Sequence, residues 1–279
     1  MGILYLVSTP LGNLEDITFR AVKVLREVGC IASEDTRTTG RLLAHFEIKT
    51  NLISYHEHSK PHQLKRIVDM LTEHDVALVS EAGTPLLSDP GYKLVRATIE
   101  HGIEVVAIPG ASALLTALPV SGLPTDRFLF MGFLPRKSAA RRTLFEQLTA
   151  QSATLVFYES PHRLQASLLD MATVFGAERQ IAICRELTKL HEEIWRGTLG
   201  QAGEVWAERT LRGEFTLVVD GAPEEEIWSE EAVQQALVAA MTGGLARKDA
   251  VKQVRQQSGW PKREVYALAE RVKRCRVKW

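Results

Sequence analysis

Four short apolar runs in the first 112 residues each give way to a loop of small, polar and turn-forming residues, and no other feature limits the possible folds as much. The runs at 3–7, 30–33, 76–79 and 105–108 lead into STPLGN (8–13), SEDTR (33–37), SEAGTPLLSDPG (80–91) and PGAS (109–112). In an open α/β sheet the loops at the carboxyl ends of the strands face one crevice, and ligands bind there. Glycine lets backbone approach a ligand with no Cβ in the way. The pattern predicts a binding site built mainly from main chain along one edge of a sheet.

The segments between these loops have the matching periodicity. Spacing of Phe19, Val22 and Leu25 predicts a helix over 18–28, ended by Gly29. Strands follow at 30–33, 76–79 and 104–108, with helices at 60–73 and 92–100. This βαβα order predicts a mostly parallel sheet with helices on both faces. A second pattern begins near Leu123, with strands at 128–132, 154–158, 180–184 and 214–219 and a helix at 139–150. Pro161 reads as the first-turn proline of a further helix, with Ser160 as its cap. Residues 121–124 read as a linker, which gives α/β domains over 1–121 and 122–222. The run Glu224-Glu225-Glu226 marks a boundary to a tail, 223–279, of three helices at 230–241, 246–256 and 262–273. The last two have helix-turn-helix spacing.

Bulk properties exclude several classes. Cys30, Cys184 and Cys275 are far apart and form no CxxC, which argues against a disulfide framework or a structural zinc and fits a reducing cytoplasm. Residues 3–7 read as a strand and not as a signal peptide. The uncharged stretch 105–124 is interrupted by Pro109, Gly110, Pro119 and Gly122, so it reads as strand, loop and buried helix and not as a membrane span. No Walker A pattern, GxGxxG after the first strand or GxSxG elbow occurs. His56, His58 and His62 lack HExxH spacing, because Lys60 stands where the second histidine would be, and they read as a polar loop.

The net charge of zero conceals an asymmetry. Residues 245–279 hold eleven Lys and Arg against three Asp and Glu, a net +8, while the remaining residues, with 23 against 31, carry −8. Such a tail fits either a polyanion such as nucleic acid or a solvated helical face. A second basic cluster, Arg136, Lys137, Arg141 and Arg142, sits at a helix start where the dipole disfavours cations. It reads as a phosphate contact or as solvated surface. In the segment 157–163 a plain helix start explains Ser160 and Pro161 but not Glu159 and His162.

Three of these loops, in this order, resemble the tetrapyrrole methylase superfamily. They read LYLVSTPLGNLEDIT (4–18), SEAGTPLLSDPG (80–91) and IPGASALLTALPVSG (108–122). Thr84 stands where the superfamily's GDP loop has aspartate, which points away from a tetrapyrrole substrate. Adding SEDTR, FLPRK (133–137), FYESPHR (157–163) and GEFTLVV (213–219), the chain is similar to the branch that methylates the ribose 2′-oxygen of cytidine 1402 in 16S ribosomal RNA of the small subunit.

The resemblance implies a two-domain α/β tetrapyrrole-methylase-like fold, class III among S-adenosylmethionine-dependent methyltransferases, with a small helical C-terminal extension. It also implies a cytoplasmic homodimer that needs no metal and no membrane. By motif position Leu11, Gly83, Thr84, Leu87, Ser112 and Ala113 line the S-adenosylmethionine site, joined by Ser160 and Glu214 from the second domain. Placement on the loops makes Asp35, Glu81 and Glu159 candidate proton acceptors and Arg37 a candidate phosphate contact. Arg136, Lys137, Arg141 and Arg142, with Arg247, Lys248, Lys262 and Arg263 of the tail, are the expected RNA contacts. A small-molecule methyltransferase, a non-catalytic RNA-binding or assembly protein of the same fold, and a nucleotide-binding α/β protein with a basic accessory domain are the other readings.

Overall fold

β-branched and leucine-rich runs, too short for helices and bounded by turn residues, form five parallel strands. These are β1 (Ile3–Val7), β2 (Cys30–Ser33), β3 (Leu52–Ser54), β4 (Val76–Val79) and β5 (Glu104–Ile108), in the order β3-β2-β4-β1-β5. The computed structural model describes residues 1–223 and 228–275, the last three by backbone only. The acidic run Glu224-Glu225-Glu226, the side chain of Cys275 and the final basic residues therefore lie outside the described residues. Alternation along the strands divides the sheet between two cores. On one face Leu4, Ala32 and Leu78 meet Ile67 of α3 (Pro61–Met70) and Leu94 of α4 (Tyr92–Glu100). On the other, Val7, Ile31 and Val79 meet Leu25 of α1 (Phe19–Glu27) and Leu43 of α2 (Thr36–His45).

The second sheet is mixed. β6 (Phe128–Phe133), β7 (Thr154–Glu159), β8 (Gln180–Arg185), β9 (Glu193–Thr198) and β10 (Phe215–Val219) run in the order β6-β7-β10-β8-β9. Only the β6–β7 pair is parallel. One face packs on α6 (Ser138–Leu148), α7 (Leu164–Phe175) and α8 (Leu199–Ala207) through Phe145, Leu168 and Trp206. The other face, with Val156, Cys184 and Val218, packs on Leu114, Ala117 and Leu118 of α5 (Ala113–Val120). That contact explains the uncharged stretch: α5 belongs to the chain's first half yet is buried against the second sheet.

Residues 1–222 form one compact unit that holds both sheets, and a second unit begins at Pro223. In the second, α9 (Glu230–Thr242), α10 (Arg247–Ser258) and α11 (Lys262–Cys275) bury Val233, Leu237, Val251, Val254, Val265 and Leu268 together. Ser229 caps α9 by accepting from the Ala232 N–H, and left-handed Gly259 ends α10.

Several elements differ from expectation. α2 and α8, and the strands β3 and β9, carry too weak a local signal to be read: α2 opens Thr-Arg-Thr-Thr-Gly, in which every residue but Arg37 is a poor helix former, and its start depends on Asp35 as cap. Pro161 does not open a helix. Residues 161–163 form a turn and α7 starts at Leu164, because Glu159 takes the Ser160 N–H at 2.7 Å and pairs with Arg163 at 2.7 Å, while the Arg163 Nε donates to Ser160 Oγ at 3.0 Å.

Arg141, expected among the RNA contacts, is only 2% exposed. Its Nε donates to Asp170 Oδ2 at 2.9 Å, and its remaining N–H groups reach Asp170 and the carbonyls of Pro135 and Arg136. Burial acts to raise the Asp170 carboxyl, but donors from Arg142, Ser138 and Arg141 outweigh it and hold it below the usual range. Arg141 is therefore a structural cation that cannot reach a phosphate, whereas Arg136 and Lys137 remain exposed and Arg142 is half-exposed with its Nε on Asp170. Removing one member of a buried pair strands the other, at about 3–5 kcal/mol. Asp170→Ala is expected to cost that much in urea unfolding, against less than about 1 kcal/mol for Arg142→Ala; a similar small loss for both would show that Arg141 and Asp170 do not act as a buried pair.

Candidate active site

Because all five strands of the first sheet are parallel, the loops after β1, β2, β4 and β5 leave at one edge. Hydrogen bonds between short side chains and main chain tie three of them together. Thr9 and Gly83 exchange two N–H···O=C bonds, each 2.9 Å, as an isolated antiparallel bridge. The Ser8 and Thr84 hydroxyls lie 3.1 Å apart, and Thr84 donates on to the Ala111 carbonyl at 3.1 Å. Thr9 donates to the Ser80 carbonyl, and Ser80 to the Gly83 carbonyl at 2.9 Å. Gly83 holds φ +85°, and a Cβ there would press on Leu11 Cδ2 at 3.2 Å. This position therefore needs glycine for its conformation, and a Cβ would also require Leu11 to give by a few tenths of an ångström.

The loops wall a cleft of about 800 Å³ whose far side is the second sheet. Leu11, Gly83, Thr84 and Leu87 line it, as do Ser112 and Ala113 at the start of α5. Ser160 and Glu214 face it from β7 and the approach to β10. All eight residues expected around the cofactor thus meet in one cavity. Tyr158 closes it between Phe130 and Phe133, edge-to-face at 4.9 and 5.5 Å, and its hydroxyl accepts the Leu114 N–H at 3.2 Å. Burial is the main reason the Tyr158 phenol is raised.

The expected proton acceptors are placed differently from one another. Glu81 lines the cleft and is exposed. Asp35 does not line it: its Oδ1 caps α2 by accepting the Arg37 N–H at 2.8 Å, and its Oδ2 pairs with the Arg37 guanidinium at 3.3 Å. Those bonds, the backbone one first, hold the Asp35 carboxyl below its usual range and make it a weak base. Glu159 lines the cavity but is buried, and its carboxylate is committed to Arg163, the Ser160 N–H and Ser167 Oγ, the last at 2.5 Å. Both are corrected from proton acceptors to positioning groups. Asp35 holds Arg37, whose side chain is 88% exposed, and Glu159 holds the turn that presents Ser160.

Four charged residues of the cleft were not singled out from sequence: Glu34, Arg41, Asp89 and Lys189. Lys189 lies against Gly12 and joins Glu186 at 2.8 Å to Glu214 at 3.1 Å. Burial works against its charge, but the two glutamates outweigh this and raise its pKa. Asp89 shows the opposite balance. Burial, then the charges of Glu34, Glu81 and Glu214, push its carboxyl up to about 7. It sits inside the 80–91 loop already marked as a ligand loop, but nothing in one sequence shows which of that loop's carboxylates loses water.

Residues 3–203 match the family model of the tetrapyrrole (corrin/porphyrin) methylases. The chain is 51% identical over 273 residues to the ribosomal RNA small subunit methyltransferase I of Halalkalibacterium halodurans, covering 96% of this chain and 94% of the relative. It is 48% identical to the protein of the same name from Synechocystis sp., covering 96% and 98%. Among solved structures, the uroporphyrin-III C-methyltransferase of Thermus thermophilus superposes with a TM-score of 0.54 at 22% identity, over 79% of this chain and 94% of that one, and so shares the fold. With two sheets facing one cleft, loops tied at the carboxyl edge of the parallel one, and a family match across both, this chain belongs to the tetrapyrrole methylase family.

Proposed function

We propose that this protein methylates the ribose 2′-oxygen of cytidine 1402 in 16S ribosomal RNA of the small subunit, with S-adenosylmethionine as donor. The observation that carries the substrate is the near-full-length identity to relatives named ribosomal RNA small subunit methyltransferase I. Methyltransferases of this family use S-adenosylmethionine, and the residues of the cleft fit it. Beside its carboxylate the donor carries a sulfonium and an ammonium, and for these the cleft presents Glu34, Glu81 and Glu214. Of these only Glu214 has a cation partner among the described residues. Gly83 keeps the cleft wall free of a Cβ that would press on Leu11. When bound, the donor supplies an activated methyl group.

The chain's remaining task is alignment and charge. Loops tied by Thr9–Gly83 and Thr84–Ala111 set a wall against which the donor and the acceptor oxygen would be aligned. Arg37, held by Asp35, is the candidate contact for a flanking phosphate. Arg136, Lys137 and Arg142, and Arg247, Lys248, Lys262 and Arg263 of the helical unit, grip further phosphates and do not read bases. A homodimer belongs to the same reading, and sedimentation equilibrium is expected to return twice the mass of the chain and not the mass of one.

The direct test is transfer of labelled methyl to small subunits isolated from cells lacking the modification, followed by nuclease digestion and mass spectrometry. A 2′-O-methylcytidine at one position is expected; no incorporation by protein that binds the donor would point to another acceptor. The combined variant Arg247→Ala, Lys248→Ala, Lys262→Ala, Arg263→Ala is expected to weaken RNA binding and to flatten its salt dependence by about one unit of log–log slope per lost phosphate contact. Unchanged affinity and slope would remove the helical unit from RNA recognition.

A further inference from the structure

Among the carboxylates that line the cleft, Asp89 combines three properties. It is half-buried, it has no hydrogen-bond or ion-pair partner among the described residues, and its loop lies against the second sheet. Two residues of the loop, Leu86 at φ +72° and Ser88 at φ +70°, hold left-handed conformations unusual for non-glycine side chains. Such conformations persist only where the surroundings impose them, and they cluster at functional sites. The surroundings here are visible. Ser88 Oγ occupies the space beside Gly132 of β6, 2.8 Å from where a Cβ would stand, so the loop of the first sheet is wedged against the second. The β6–β7 register shifts between Phe130 and Phe133, at this same place.

The groups facing Asp89 are Glu34 beyond β2, Glu81 in its own loop, Glu214 before β10 and Tyr158 on β7. Lys189 of the same cleft is already shared by Glu186 and Glu214, and Arg41 of α2 also lines it. Asp35 and Glu159 are occupied by Arg37 and Arg163, and Glu81 is exposed to water.

We propose that Asp89 is the catalytic base for the reaction proposed above, and the inference rests on that reading. Asp89 takes the proton as the O–H bond of the ribose 2′-hydroxyl breaks; the oxygen forms the new bond to the methyl carbon, and the C–S electron pair leaves with the sulfur. A ribose hydroxyl is a poor nucleophile, and a base titrating near neutral pH is both available and strong enough to assist it. Desolvation and three neighbouring carboxylates supply that basicity without a metal ligand or a histidine.

The test compares wild-type protein with Asp89→Asn and Asp89→Glu on undermethylated small subunits, in single turnover, together with calorimetric titration of S-adenosylmethionine. Wild-type rate is expected to rise about tenfold per pH unit on the acid side and to level off above a break at or below about 7, since the cationic donor draws the Asp89 carboxyl down. Asp89→Asn should lower the rate at pH 8 by about 10²-fold or more, lose the break in the profile and keep donor affinity within a few-fold, with partial recovery in Asp89→Glu. An acid whose folded pKa is raised destabilises the fold once ionised, so Asp89→Asn should also raise Tm at pH 8, and the gain should shrink as the pH falls from 7 toward 4. Asp89→Asn turning over like wild type, or losing donor affinity in proportion to rate, would overturn the assignment. Wild-type protein that transfers no methyl to the subunits would instead overturn the acceptor, and the role of Asp89 with it.

Discussion

The reciprocal pair of hydrogen bonds between Thr9 and Gly83 is the constraint on which the site depends. β1 and β4 are adjacent parallel strands, and their loops would diverge once the ladder ends. Two extra N–H···O=C bonds extend the pairing past the strand ends in antiparallel sense, which a left-handed Gly83 makes possible. Thr9 and Thr84 donate their hydroxyls to the Ser80 and Ala111 carbonyls, Ser80 adds a second donor to the Gly83 carbonyl, and the Ser8 and Thr84 hydroxyls meet each other. The small polar residues of these loops are thus mortar for a main-chain wall, and only a minority of them need touch a ligand.

The helix α5 extends that wall into the rest of the unit. It starts at Ser112, beside the tied loops, and buries Leu114, Ala117 and Leu118 against Val156, Cys184 and Val218 of the second sheet. Leu11, from the first loop, joins the same cluster. Arg196 of β9 donates to the Val120 carbonyl at the end of α5, so the helix is fixed at both ends, by Tyr158 at one and Arg196 at the other. The cleft is consequently not a gap between loosely linked halves. Its two walls share one apolar core, and the geometry available to a bound ligand is set by that core.

How far the sequence discloses this follows from the range of the interactions. Short apolar runs and their turn-rich loops are local, so β1, β2, β4, β5 and α4 are legible, whereas the cleft residues from Leu11 to Glu214 are implied by the family resemblance of those loops. α2, β3, β9 and α8 are not, because their stability comes from packing and from caps such as Asp35 and Thr198 and not from propensity. Arg141 and Arg142 are adjacent and chemically alike; only the position of Asp170 on α7, distant in sequence, makes one a buried structural cation and leaves the other half in water. Pro161 fails as a helix start for a related reason, since the i to i+4 pair of Glu159 and Arg163 closes a turn first.

Charge in the cleft obeys the same logic of environment. Glu81 and Asp89 lie in one loop, eight positions apart, yet one is exposed and the other is pushed up to about 7. Asp35 lies one residue from Glu34, but its carboxylate is consumed by a helix cap and an arginine and its basicity is lowered. Carboxylates clustered without cations are costly, because each disfavours ionisation of the others. The fold tolerates that cost in a cleft where Glu34, Glu81 and Glu214 are exposed and Asp89 is half-buried, and a cationic ligand there would relieve it. Burial first, and then the same repulsion, raise the one partly desolvated acid in the cluster, and a cationic ligand that relieves the repulsion would draw that acid back down.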